Sequence, residues 1–160
     1  MESYFGYVET VLDALLIFEA CRVGVLSRAH RRLTDQERAA IRSGSVFVWD
    51  EDETGIHRWT DGRSWSSSRA RGSFLTYREL DDPTNPRSAS PSFTSSGRRL
   101  RLKRQGLTKR ALSLSTADGR KFHLISYYLA SDVMASRLKT PRADPLVTSI
   151  KIPELLYPEL

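Results

Sequence analysis

Residues 81–106 constrain the fold of this chain more than any other stretch. Asp81-Asp82-Pro83-Thr84-Asn85-Pro86 brings two prolines together, and Ser88-Ala89-Ser90-Pro91-Ser92 and Thr94-Ser95-Ser96-Gly97 follow. Arg98-Arg99-Leu100-Arg101-Leu102-Lys103-Arg104 then completes the segment. Few of these side chains can line a core, so the segment reads as a flexible, basic, Ser/Pro-rich linker. It divides the 160-residue chain into an N-terminal lobe, residues 1–80, and a C-terminal lobe, residues 107–160. A piece as short as the second lobe rarely buries enough surface to fold alone. The expectation is therefore one fold in which the two lobes complete a shared core.

The same segment holds the positive charge. The formal net charge is +6. Residues 1–80 carry 11 Arg against 12 Asp and Glu, whereas residues 81–110 carry 8 Lys and Arg against only Asp81 and Asp82. A localised basic excess suits a polyanionic partner, and in a linker it equally suits a solubilising or localising run. Apolar residues form no membrane span. The longest run, Val11–Phe18, is short and interrupted by Asp13. No secretory signal pattern opens the chain. Cys21 is the single cysteine, which excludes an internal disulfide framework and points to a reducing compartment, cytosol or nucleus.

Local patterns give a mixed α+β fold, mostly antiparallel β-sheet completed jointly by the two lobes, with a few short helices. Tyr4–Val8 reads as a short strand. Thr10, with Asp13 three residues on, starts a helix over Val11–Arg22 whose wide apolar face is buried. Thr34-Asp35-Gln36-Glu37 is a capping box for a second, short helix. Ser45–Trp49 is β-rich, Asp50–Gly55 reads as a polar turn, and Ser73–Leu80 alternates as a half-buried strand does. In the second lobe Asp118-Gly119 turns a hairpin between Leu107–Thr116 and Lys121–Tyr128, and a short helix follows over Ser131–Leu138.

Catalytic chemistry finds no support in these residues. Asp50, Glu51, Asp52 and Glu53 are expected to be solvated, and His123 between Phe122 and Leu124 to be structural. Ser66 and Ser68 lack a nucleophile-elbow context, and Cys21 ends an apolar helix as an inert thiol. His30, His57 and His123 have no ligand spacing, so no metal, cofactor or small-molecule substrate is expected.

The densest polar constellation is Arg58-Trp59-Thr60-Asp61-Gly62-Arg63-Ser64-Trp65-Ser66-Ser67-Ser68-Arg69-Ala70-Arg71. Asp61-Gly62 is a turn signal that puts Arg58, Thr60 and Arg63 at a tip. Arginines can bridge phosphates or enter a groove, and hydroxyls add phosphate contacts. Trp59 and Trp65 read better as anchors fastening the loop to a core than as base-stacking groups. Two readings stay open on composition: a nucleic-acid-contacting loop, or an ordinary turn between strands. Lys109 and Arg110, where the linker passes into a strand, are candidates for fixed phosphate contacts. Arg98–Arg104 suits diffuse ones.

Longer motifs carry a resemblance. These are Gly6-Tyr7-Val8-Glu9-Thr10, Phe18-Glu19-Ala20-Cys21-Arg22, Ile41 through Glu51, Arg58-Trp59-Thr60-Asp61-Gly62-Arg63, Phe74–Leu80, Leu107-Thr108-Lys109 and His123–Tyr128. Together they resemble the WOPR-box family of fungal transcription regulators. The resemblance implies a bipartite DNA-binding domain that acts in the nucleus without enzymatic activity. Its partners would be double-stranded DNA at an AT-rich element and transcription co-regulators. Its role would be control of morphology, development or virulence. The expected DNA-binding residues are Arg58, Thr60, Arg63, Arg69, Lys109 and Arg110, with Trp59 and Trp65 as loop anchors. A regulatory protein-interaction module with a basic localisation linker is the alternative. Thr60, preceded by His57 and Arg58, also resembles a weak site for a basophilic kinase.

Overall fold

The computed structural model describes residues 1–81, 91–93 and 99–158. Its elements in chain order are β1 (Tyr4–Phe5), α1 (Val11–Arg22), α2 (Asp35–Ala39), β2 (Ser45–Asp50), α3 (Glu51–Thr54), β3 (Arg69–Arg71), β4 (Phe74–Arg78), β5 (Pro91–Phe93), β6 (Arg99–Arg101), β7 (Thr108–Ser115), β8 (Lys121–Tyr128), α4 (Ala130–Met134), a 3-10 turn (Pro141–Ala143) and α5 (Pro145–Thr148). Six strands form one antiparallel sheet in the order β1-β2-β8-β7-β4-β3. The hairpin from the second lobe is therefore inserted between β2 and β4 of the first. Neither lobe owns the sheet.

Both faces of the sheet are covered. This explains why β2, Ser-Val-Phe-Val-Trp-Asp, is buried along its whole length rather than at alternate residues. On one face Val46, Val48, Phe74, Leu112, Leu114, Phe122 and Leu124 pack with Ala14, Ile17, Phe18 and Cys21 of α1, and Val147 and Tyr157 join them. On the other face Phe47, Trp49, Ile125 and Tyr127 pack with Ala29, Leu33, Ile41 and Ile56 from the connecting segments.

Helix α1 starts where the sequence places it. Thr10 Oγ1 accepts from the Asp13 amide at 3.2 Å, and Asp13 Oδ2 accepts from the Thr10 amide at 3.0 Å. The second oxygen of Asp13 accepts from the amide and Nε of Arg142, each at 3.0 Å, so the cap also ties α1 to the 3-10 turn. Buried Glu19 is satisfied by Arg22 and by the Tyr157 hydroxyl, which donates at 2.8 Å.

Two local expectations change. Asp50–Gly55 is not a plain turn. Asp50 Oδ1 caps the amides of Asp52 and Glu53, Gly55 closes α3 at φ +71°, and Arg120 holds the other Asp50 oxygen at 2.6 Å. The expected flexible linker, 81–106, is also not bare coil where it is described, although 82–90 and 94–98 lie outside the described residues. β5 pairs with β6, the Asp81 amide donates to Arg101 O at 2.7 Å, and the Lys103 amide donates to Glu79 O at 2.9 Å. Backbone pairing of this kind leaves no apolar period in the side chains, so composition alone does not reveal it.

Candidate nucleic-acid interface

The segment from Ile56 to Gly62 lies over the second face of the sheet, Ser64–Ser66 then pair with Arg78–Leu80 along its edge, and a buried polar hub fixes the loop there. The Trp59 ring stacks on Trp49, with centroids 4.6 Å apart and planes 17° from parallel, and its Nε1 donates to the Tyr127 hydroxyl at 3.0 Å. That hydroxyl donates to Asp61 Oδ2 at 2.7 Å. Asp61 also accepts from Trp65 Nε1 at 3.0 Å and from the Arg63 amide at 3.1 Å, and it pairs with Lys109 Nζ at 3.2 Å. Lys109 Nζ lies 4.4 Å from the centroid of Trp65 and 5.0 Å from that of Tyr77. The loop is thus pinned by one carboxylate with four partners, in surroundings where Asp61 is 5% exposed and Lys109 8%.

The electrostatics follow from that packing. Burial alone would raise the Asp61 carboxyl, but the hydrogen bonds from Trp65 and Tyr127 and the charge of Lys109 outweigh it and hold its pKa below the usual value. Burial lowers the Lys109 pKa, and Asp61 offsets only part of that. Burial, with the charge and hydrogen bond of Asp61 added, pushes the Tyr127 phenol far up, so it stays a neutral donor.

Each expected contact residue has a definite place. Arg58 and Thr60 are exposed on the outer side of the loop. Arg32 supports them from behind, donating to Arg58 O at 3.3 Å and Thr60 Oγ1 at 3.5 Å. Arg63 turns inward instead, to Glu79 Oε2 and Ile41 O, each at 3.2 Å. Arg69 is exposed on the edge strand β3. Lys109 is buried in the hub. Arg110 donates to Val8 O at 2.6 Å and covers the Phe74 ring at 3.9 Å. The six residues therefore divide into Arg58, Thr60 and Arg69, which face outward, and Arg63, Lys109 and Arg110, which hold the framework. Trp59 and Trp65 both give their ring N–H groups to the hub.

The other arginines sharpen this division. Arg22, Arg28, Arg31, Arg38, Arg42, Arg120, Arg137 and Arg142 each pair with a carboxylate. Among the described residues, Arg58, Arg69, Arg71, Arg78 and Arg104 bond no acid or carbonyl. Of these, Arg78 was not singled out from the sequence. The signal for it was the hairpin at Gly72 (φ +57°), which sets Arg69 opposite Thr76 and Arg71 opposite Phe74 and so brings Arg69, Arg71 and Arg78 to one face. No group of three His, Cys, Asp or Glu among the described residues can hold a metal ion.

The model of the Gti1/Pac2 family matches residues 3–99, more than half of the chain. The chain belongs to the Gti1/Pac2 family. It is 41% identical to the cAMP-independent regulatory protein pac2 of Schizosaccharomyces pombe, over 99% of this chain and 83% of that protein. It is 36% identical to the global transcription regulator sge1 of Gibberella fujikuroi, over 92% of this chain and 58% of that protein, so it spans a little over half of that relative. Among solved structures, this Gti1/Pac2 chain superposes on the WOPR domain of Wor1 from Candida albicans in complex with a 13-bp double-stranded DNA. The TM-score is 0.78 and the identity 32%, covering 97% of this chain and 93% of that one. The Wor1 domain with a 17-bp duplex aligns similarly, with a TM-score of 0.76 and 31% identity over 97% of this chain and 95% of that one. The α+β sheet architecture expected from the sequence is the architecture of these domains. The family is one of transcription regulators, not of enzymes.

Proposed function

We propose that this Gti1/Pac2 chain is a sequence-specific binding domain for double-stranded DNA, part of a fungal transcription regulator acting in the nucleus. The observation that carries the reading is the exposed Arg58, without an acidic partner among the described residues, on a loop that Trp59, Asp61, Tyr127 and Lys109 hold rigid. A long cation on a fixed loop can enter a groove without first paying for ordering of the backbone that carries it. The likeness to a domain solved with duplex DNA supports the same reading.

Direct contacts fall to Arg58, Thr60 and Arg69, while Arg63, Lys109 and Arg110 keep the loop and sheet in register. The target is an AT-rich element, whose narrow minor groove has the enhanced negative potential that favours an inserted arginine. Co-regulators would read the bound complex, and the regulated programmes are morphology, development or virulence. Selecting bound sites from random duplexes, then measuring affinity for the selected site in excess unrelated DNA, tests the proposal. Recovery of an AT-rich site whose binding survives the competitor is the expected result. Binding abolished by competitor would instead favour a protein-interaction module with an incidental basic surface.

A further inference from the structure

The register of β3, β4 and β7 assembles a second basic surface. Arg69 lies opposite Thr76 and Arg71 opposite Phe74, and Thr76 in turn lies opposite Arg110. Directly opposed residues share a face, as do alternate residues along a strand. Arg69, Arg71 and Arg78 therefore all lie on the face of Phe74 and Leu112, which α1 covers further along the sheet. Arg110 closes the apolar core at that boundary by covering Phe74, and the three arginines lie beyond it. All three are exposed and lack an acidic partner among the described residues. Residues 69–78 contain no acid at all. The next one, Glu79, is occupied by Arg63 and Lys103. Thr108 and Tyr128 lie on the same face, and the charge of Arg71 reaches Tyr128.

The Arg58 loop is on the opposite face, where Trp59 stacks over β2. In the strand order, β2 and β3 are four neighbours apart. At about 4.8 Å per strand they are separated by roughly 19 Å within the sheet.

We infer that Arg69, Arg71 and Arg78 form a phosphate-binding stripe that grips the backbone of the duplex away from the groove entered by Arg58. The inference rests on the DNA-binding reading above and adds a second, sequence-independent contact zone to it. Arginine suits the task because its planar fork can give two hydrogen bonds to one phosphate. The stripe supplies affinity and orientation, and the Arg58 loop supplies discrimination.

The test uses the full chain, a 17-bp duplex carrying the selected site and a scrambled duplex of the same composition. Affinity is measured by fluorescence anisotropy between 50 and 300 mM KCl, and folding is followed by thermal unfolding. Changing Arg69, Arg71 and Arg78 together to Gln should weaken both duplexes equally, by about tenfold or more at 0.1 M salt. It should also make the log–log salt slope shallower by about 2–3, since each lost phosphate contact removes about 0.9. The ratio between the two duplexes stays unchanged, and the corresponding triple Lys variant keeps most of the slope. If the triple Gln variant melts early, Arg71→Gln with Arg78→Gln reads the same effect as a change of about 2. Folded Gln variants that keep the parental affinity and slope overturn the stripe, and the arginines then only guard the sheet edge against pairing. A changed duplex ratio overturns the sequence-independent role. A parent that never discriminates the two duplexes refutes the specific-binding reading instead, and the stripe is then judged on the slope alone.

Discussion

Replacing Asp61 with Ala should unfold the Arg58 loop. The substitution removes the acceptor for Trp65 Nε1, the acceptor for the Tyr127 hydroxyl and the counter-charge of Lys109. Breaking a buried ion pair on one side costs about 3–5 kcal/mol, because the remaining charge stays desolvated. The lower end applies here, since Lys109 keeps the faces of Trp65 and Tyr77. Against a domain stability of about 5–15 kcal/mol, that is a large fraction. The assay is urea denaturation followed by tryptophan fluorescence on the parent, Asp61→Ala, Lys109→Met and the double variant. The double variant should recover at least about 1 kcal/mol relative to additivity, as contacting charges do. The pH dependence adds a second signature. The folded pKa of Asp61 lies below its unfolded value of about 3.9. The unfolded state therefore binds the proton first as the pH falls. The stabilisation is complete above that unfolded value and is lost as the pH drops through the folded one. The gap between parent and Asp61→Ala should narrow below about pH 4. A cost under about 1 kcal/mol, or additive single variants, would refute the hub.

Arg58→Ala should lose about 1–3 kcal/mol of specific binding while leaving stability within about 0.5 kcal/mol, measured by anisotropy and thermal unfolding. Arg63→Ala should behave differently. It gives up charged hydrogen bonds to Glu79 and Ile41 O, so about 1.5–3 kcal/mol of stability should go, read by the same urea titration. The Cys21 thiol, pushed up to about 12 by burial, should resist alkylation at pH 8 in the folded protein and react once urea unfolds it, as mass spectrometry would record.

Local chemistry made much of the fold legible. The Thr10 and Thr34 boxes start α1 and α2 as their sequences specify. Val46–Trp49 lies within β2, and Asp118-Gly119 turns the β7–β8 hairpin with Gly119 at φ +88°. The division among the basic residues was not legible, because their partners are remote in sequence. Arg58 and Arg63 look alike in the loop, and only Glu79 and Ile41, 16 and 22 positions away, turn Arg63 inward. Lys109 meets Asp61 across 48 positions. Helix α3 escaped because Asp50 acts both as its cap and as the partner of Arg120, a double use that a run of four acids conceals.

The strand order has a consequence for how the chain comes into being. When a ribosome has released β2 and the β3–β4 hairpin, neither β2 nor β4 has its neighbour in the middle of the sheet, because β7 and β8 are still unmade. The nascent N-terminal half exposes two unpaired apolar edges for the few seconds that synthesis needs at about 5–20 residues per second. Consolidation must wait for the last hairpin to slot between strands already made. Slow, late-committing folding of this kind belongs to sheets with distant pairings. A message cut short before Tyr128 would therefore yield not a half-working domain but a chain with open strand edges, ready for chaperones or for aggregation.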